Sequence, residues 1–255
     1  MDSVHNGLKK ISLKTFLSIY FRSFFLQGSF SAKYRQNLGF AFCMEPVGRE
    51  LWTDIEDHKK FLKRHTEYFN GNPFMITLVL GAVAKMEERL CYQDGITEDD
   101  IQRFKRVAGQ ATGSAGDRLF WSNLRPFGIV LGLLLAVFYG LWGVFIFLAV
   151  FNIPTLILKW HWLNAGYKLE QKVVSEIKNH KLESAERIME ILGSALITFL
   201  SVVYLTTPDY SLNWILLSTV GLFIFSFIML KHHFPLHTMF PLALVVAVVL
   251  GFVIN

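Results

Sequence analysis

Along this chain of 255 residues the pattern of apolar and polar positions changes character near Pro126. Upstream, hydrophobic side chains recur among charged ones. Downstream, they form long runs almost free of charge. Ile11 to Phe30 has apolar residues at Leu13, Phe16, Leu17, Tyr20, Phe21, Phe24 and Phe25, among others. Spacings of three and four predict a helix, with Lys14, Ser18 and Arg22 on another face. Such an amphipathic helix is suited to the membrane interface. Asp57 to Tyr68 reads as a second, charged helix, and Phe69-Asn70-Gly71-Asn72-Pro73 as a turn. Met75 to Ala84 is apolar but too short to cross a bilayer, which takes about 20 helical residues. Thr97 with Asp100 forms the signature of a capping box for a helix ending near Val107. Gly109 to Gly116 is rich in small residues and lacks the Gly-Lys-Ser/Thr of a phosphate loop. It reads as close-packed or broken helix near the membrane.

Phe127 to Phe151 is a run of 25 residues whose only ionisable group is Tyr139. It is long enough to span. Leu192–Thr207, Leu212–Leu230 and Leu236–Ile254 read as three further spans. The expected fold is therefore an all-α polytopic membrane protein. Amphipathic and re-entrant helices come first (1–126), then a long transmembrane helix (127–158). A cytoplasmic connecting loop (159–191) and three C-terminal transmembrane helices (192–255) follow.

Charge sets the expected orientation. Lys159 to Glu190 holds six Lys/Arg, which favours the cytoplasmic side. The turn Thr206–Asn213 has no Lys or Arg and is expected outside, with the C-terminus. Arg125 then falls outside, whereas Lys9, Lys10, Lys14 and Arg22 favour the inside. Re-entrant or broken segments between them are expected to reconcile the two.

Composition adds a few exclusions. The chain is 53% hydrophobic with a formal net charge of +5. Its basic residues flank apolar segments, where they suit anionic headgroups, and no nucleic-acid-reading motif is present. Cys43 and Cys91 lack a CxxC partner and read as reduced, packed thiols. The N-terminus has no signal-peptide pattern. His232, His233 and His237 form one cluster without supporting carboxylates, so neither a metal nor another cofactor is expected.

Candidate chemistry lies in polar residues set among aromatic ones. Gln27, Ser29, Gln36 and Asn37 offer amides and a hydroxyl, each able to donate and accept, beside Phe30 and Tyr34. They fit sugar contacts or their immediate support; the other reading is hydrogen bonding between helices. Asp117 and Arg125 suggest an ion pair or cap at the mouth of the long span, Trp121 an interfacial anchor, and His65 and Asn72 structural positions. No nucleophile–base pair stands out, so an enzyme is not expected.

The motifs themselves resemble a known family. Arg22-Ser23-Phe24-Phe25-Leu26-Gln27-Gly28-Ser29-Phe30 and Gln36-Asn37-Leu38-Gly39-Phe40 are similar to the mannose-class phosphotransferase system IID component. Lys63-Arg64-His65-Thr66-Glu67-Tyr68-Phe69-Asn70 with Asn72-Pro73, Met86-Glu87-Glu88, and Gly116-Asp117-Arg118-Leu119-Phe120-Trp121 with Leu124-Arg125-Pro126 continue the likeness in order. Gly166-Tyr167 also fits. The stretch before Gly116 departs from the family pattern by lacking its proline. The resemblance implies a multi-pass subunit of the bacterial cytoplasmic (inner) membrane. Its partners would be a IIC membrane subunit, soluble IIA/IIB phosphocarriers, membrane lipid and a hexose or amino sugar. It also implies a trimer of IIC–IID heterodimers, with phosphoryl chemistry on other chains and no nucleic acid. A non-transporting scaffold or attachment protein of the same fold is the alternative, and a membrane enzyme built on the His cluster a second.

Overall fold

The first helix, α1 (Leu13–Arg22), starts where the Ser12 side chain accepts from the Thr15 N–H. It buries Phe16 and Ile19 and leaves Leu13, Leu17 and Phe21 exposed. The computed structural model describes residues 10–177, 183–193 and 195–196. Of the expected C-terminal spans, Leu212–Leu230 and Leu236–Ile254 lie outside the described residues, as does most of Leu192–Thr207 and the whole His232–His237 cluster. The described residues are helical apart from turns, with two isolated β-bridges. A 3-10 turn (Ser23–Phe25) leads from α1 toward α2 (Asn37–Leu51) and α3 (Ile55–His65).

Asp54 caps α3, accepting from the N–H groups of Glu56 and Asp57. Acidic residues sit in its first turn and Lys63, Arg64 and His65 in its last, which suits the helix dipole. The short apolar stretch becomes α4 (Ile76–Cys91), whose residues 76–84 are all buried. It crosses α7 (Trp142–Leu169) backbone against backbone. A Cβ at Gly81 would lie 2.0 Å from the Leu163 carbonyl oxygen, and one at Gly166 2.0 Å from that of Leu78. Only glycine permits this reciprocal approach. Each large apolar side chain that α4 buries contributes about 1.5–3 kcal/mol.

Helix α5 (Glu98–Gly116) opens on the expected capping box, with Thr97 and Asp100 bonding reciprocally. It runs without a break through a π-helical turn (Asp117–Leu124) into α6 (Arg125–Tyr139). The expected single span Phe127–Phe151 is corrected here: it folds back on itself at Gly140. That residue has φ +58°, a conformation glycine adopts without strain. The return helix α7 packs antiparallel on α6, close enough that a Cβ at Gly143 would meet the Gly132 carbonyl at 2.3 Å. Hydropathy is continuous across the turn, so the pattern of apolar residues does not reveal it.

Two consequences follow. Residues 159–169, expected as connecting loop, continue α7, and their Lys159, Trp162, Leu163 and Gly166 are buried. A 3-10 turn (Glu170–Lys172) and α8 (Val173–Ile177) come after. The fold-back also carries the chain away from and back toward the Arg125 end. The expectation that Arg125 and the 159–190 region lie on opposite sides therefore loses its basis. The continuous helices Glu98–Tyr139 and Trp142–Ile177 are each long and apolar enough to cross a membrane. Around the hairpin tip, Tyr139, Leu141 (78% exposed), Trp142 and Phe145 face outward.

Candidate functional site

The turn between α3 and α4 is held by the two buried amides that the sequence singles out. Gln36 donates its backbone N–H to the Phe69 carbonyl and accepts from the Gly71 N–H through Oε1, both at 2.9 Å. Asn37 donates Nδ2–H to the Thr66 carbonyl at 2.7 Å. The next buried amide, Asn72, donates to Asp117 Oδ1 at 2.9 Å. Its Oδ1 accepts from the Phe74 N–H, so it caps the approach to α4 while tying it to the π turn. These amides serve backbone groups that burial would otherwise leave unpaired. Their geometry makes Gln36 and Asn37 supports of the turn.

Two clefts flank this turn. One, of about 330 Å³, lies between Tyr68–Asn70 and the face of α5 that carries Lys105, Arg106, Gln110, Gly113 and Ser114, with Asp117 at the start of the π turn. The other, of about 210 Å³, is lined by Phe24, Gln27, Phe74, Trp121, Asn152 and Lys159, among others. Lys159 is 2% exposed. Its Nζ donates to the carbonyls of Pro73 (2.8 Å) and Ser23 (3.4 Å) and sits 4.8 Å from the Phe24 ring centre. It thereby pins the end of α1 and the turn to α7.

Beneath the turn is an ionic cluster. Arg64 grips Glu87 with two hydrogen bonds, Nε to Oε1 at 2.7 Å and Nη2 to Oε2 at 2.8 Å. His65 Nε2 lies 3.0 Å from Oε1, and the Trp52 indole donates to Oε2 at 3.2 Å. Burial pushes the Glu87 carboxyl up, but the bonds from Arg64 and His65 outweigh it and hold it at about 2. Burial lowers His65 to about 4 against the pull of Glu87. A neutral imidazole donating Nε2–H fits this, and it leaves Nδ1 buried without a partner. Arg64 already neutralises the carboxylate, which is why a second cation is not favoured. Cys43 and Cys91 are free thiols, and burial pushes Cys43 up to about 12.

The sequence-derived candidates thus separate. Gln27 reaches the second cleft together with Trp121; Ser29 is exposed on the turn after α1 and lines neither cleft. Gln36, Asn37 and Asn72 gather at the central turn. His65 belongs to the ionic cluster. The Asp117–Arg125 pair does not form: Asp117 binds Asn72, and Arg125 lies 5.2 Å over the Trp121 ring. The wide π turn between the two residues changes their angular offset. Glu87, Lys105 and Lys159 were not singled out by the sequence. Only Lys159 carried a signal, a lone charge ending the apolar stretch Leu156-Ile157-Leu158; Glu87 and Lys105 stand among other charges, in Lys85-Met86-Glu87-Glu88-Arg89 and Arg103-Phe104-Lys105-Arg106, where nothing sets them apart.

Comparison with known proteins places this architecture. Residues 10–253 match the model of the PTS system mannose/fructose/sorbose family IID component. The chain is 28% identical over 185 residues to the fructose permease IID component of Bacillus subtilis (strain 168), covering 72% of this chain and 67% of that one. It is 31% identical to the sorbose-specific EIID component of Klebsiella pneumoniae, covering 72% and 68%. A solved complex of the mannose transporter ManYZ with microcin E492 superposes with a TM-score of 0.62 at 28% identity, over 75% of this chain and 70% of that chain. A second solved membrane protein gives a TM-score of 0.69 at 27% identity, over 75% and 71%.

Proposed function

Because the chain belongs to the IID component family of the mannose/fructose/sorbose phosphotransferase systems, we propose that it forms, with a IIC membrane subunit, the path by which a sugar enters the cell as IIA and IIB phosphorylate it. The observation that carries this reading is the family match over residues 10–253, joined to a hairpin of two long apolar helices with outward-facing aromatic and aliphatic side chains. Those exposed side chains suit lipid and a membrane partner better than water. The relatives' descriptions are of transport components, which disfavours a scaffold-only role.

On this reading the bacterial inner membrane holds the chain as a multi-pass subunit. The described residues gather no group of three metal-ligating side chains. The phosphoryl chemistry belongs to IIA and IIB, and IIC–IID pairs assemble as trimers. The sugar, a hexose or amino sugar, meets the amides and aromatic rings near the central turn. Gln27 and Trp121 are placed to contact it, while Gln36, Asn37 and Asn72 keep the turn rigid. Rigid support of this kind is what positions polar groups for a ligand.

The test is co-expression with a IIC subunit of the same family and affinity purification of a tagged version of this chain. Recovery of IIC in equal amount supports the reading. A chain that purifies alone, stable and monomeric, while IIC elutes separately, contradicts it.

A further inference from the structure

The positive charge of this chain is gathered at one end. Residues 3–44 hold six Lys and Arg and no Asp or Glu. Six exceeds the whole net charge of +5, so the rest of the chain, taken together, is slightly acidic. The described part of this stretch is also apolar on its outer side. Helix α1 buries Phe16 and Ile19, yet a second stripe, Leu13, Leu17 and Phe21, is exposed at spacings of four. Phe25 continues it, 68% exposed. A helix lying between a core and water needs one apolar stripe, not two. Lys10 and Lys14 are exposed at the start of the outer stripe.

The loop that follows repeats the pairing of rings with cations. Ser31 and Arg35 close it by exchanging backbone hydrogen bonds, both 2.9 Å. Phe30 and Tyr34 are exposed. The Arg35 guanidinium lies 5.6 Å from the Phe30 ring centre, and the Lys33 ammonium 4.9 Å from that of Tyr34. A guanidinium stacked on a ring keeps its N–H edge free for phosphate oxygens. Arg35 also has φ +58°, where glycine or asparagine would sit with less strain. The backbone gains nothing from an arginine there, so the reason for it lies in the side chain.

We infer that the outer stripe of α1 and the 24–35 loop form a foot that docks on anionic phospholipid. The rings of Phe21, Phe25 and Phe30 enter the acyl boundary, and Lys33 and Arg35 hold lipid phosphates. The inference rests on the membrane setting of the proposed function, and adds the class of lipid and the residues that select it. Charge and apolar surface argue for this occupant together. Water would leave the phenylalanines unburied. An acidic protein face would match the cations but not the rings. A lipid layer offers phosphate and hydrocarbon within a few ångströms of each other, which is the arrangement the foot presents. Each Lys or Arg beside an anionic surface strengthens association about fivefold.

The test reconstitutes the complex with a IIC subunit of the same family in bilayers. A small fluorophore is attached at Phe25→Cys in a Cys43→Ala/Cys91→Ala background. Brominated lipid quenches a probe that it touches, and aqueous iodide quenches one in water. Brominated phosphatidylglycerol is expected to quench at a mole fraction about fivefold or more below that of brominated phosphatidylcholine. Lys33→Ala/Arg35→Gly removes both cations and relieves the positive φ, so the loop still closes. In that variant the two lipids quench about equally, while quenching itself persists. Lys59→Ala/Lys60→Ala on α3 leaves the preference unchanged. Quenching by iodide alone, shielding from both quenchers by a covering subunit, or equal potency of the two lipids on the unaltered loop each overturns the foot. A second probe at Leu141→Cys, on the exposed hairpin tip, separates the failures. Lipid quenching there but not at Phe25→Cys overturns the foot and spares the membrane reading. Iodide quenching without lipid quenching at both positions overturns the two together.

Discussion

Replacing Glu87 with Ala removes at one stroke the acceptor for Arg64, His65 and Trp52. Arg64 would keep only Glu98, at 3.2 Å and on the surface, as an ionic partner. Breaking a buried pair from one side typically costs about 3–5 kcal/mol, because a charge is left uncompensated. For a chain of this size that corresponds to a fall in melting midpoint of roughly 6–20 °C. Detergent-purified IIC–IID complex, followed by loss of the monodisperse peak on heating, gives the readout. The double variant Arg64→Leu/Glu87→Leu removes both charges and should lose less than Glu87→Leu alone. The pH dependence has a definite sign. Both folded pKa values lie below the unfolded ones, so the unfolded chain takes up protons first and acid destabilises the fold. His65 accounts for a decline as pH falls from about 6.5 to about 4. Glu87 adds one between about 4.5 and about 2, worth about 3 kcal/mol when complete. His65→Gln should abolish the upper part of the decline and keep the lower. A midpoint within about 2 °C of wild type for Glu87→Ala, well short of the expected fall, would refute the clamp.

Three further outcomes follow from the packing. Gly81→Leu or Gly166→Leu forces a side chain into a backbone carbonyl 2.0 Å away, so either variant should vanish from the membrane on immunoblots while Gly113→Ala persists. A Cβ at Gly140 would meet no atom within 4 Å, so Gly140→Val is penalised through the positive φ and should reduce the melting midpoint by an amount matching about 1–3 kcal/mol, with Gly140→Asn milder. Lys159→Met cuts the tie between α7 and the carbonyls of Ser23 and Pro73, and should speed limited proteolysis in the 23–30 turn without releasing the chain from the membrane.

What the sequence made legible was local or periodic. Helix α1 followed from its three-and-four spacing, and α5 from Thr97 and Asp100, because both signals lie within a turn or two of chain. The fold-back at Gly140 was hidden because hydropathy is the same on either side of it. Several glycines in the run could have turned, and only the approach of Gly132 to Gly143 selects this one. The amides Gln36 and Asn37 were visible as polar residues in apolar surroundings. Their partners, the Gly71 N–H and the Thr66 carbonyl, are backbone groups about 30 residues away, which no side-chain pattern encodes. Glu87 was visible only as part of a motif. Its meaning comes from Arg64 and His65 on another helix, a pairing set by the crossing of elements and not by spacing.

The most direct test is uptake in cells deleted for their own mannose-class permease. This chain, a IIC subunit of the same family and IIA/IIB are expressed together, and then with each one omitted, against labelled mannose, fructose and sorbose. The account predicts accumulation of phosphorylated sugar with the full set and its loss when this chain alone is left out. Uptake that continues unchanged without this chain would contradict it.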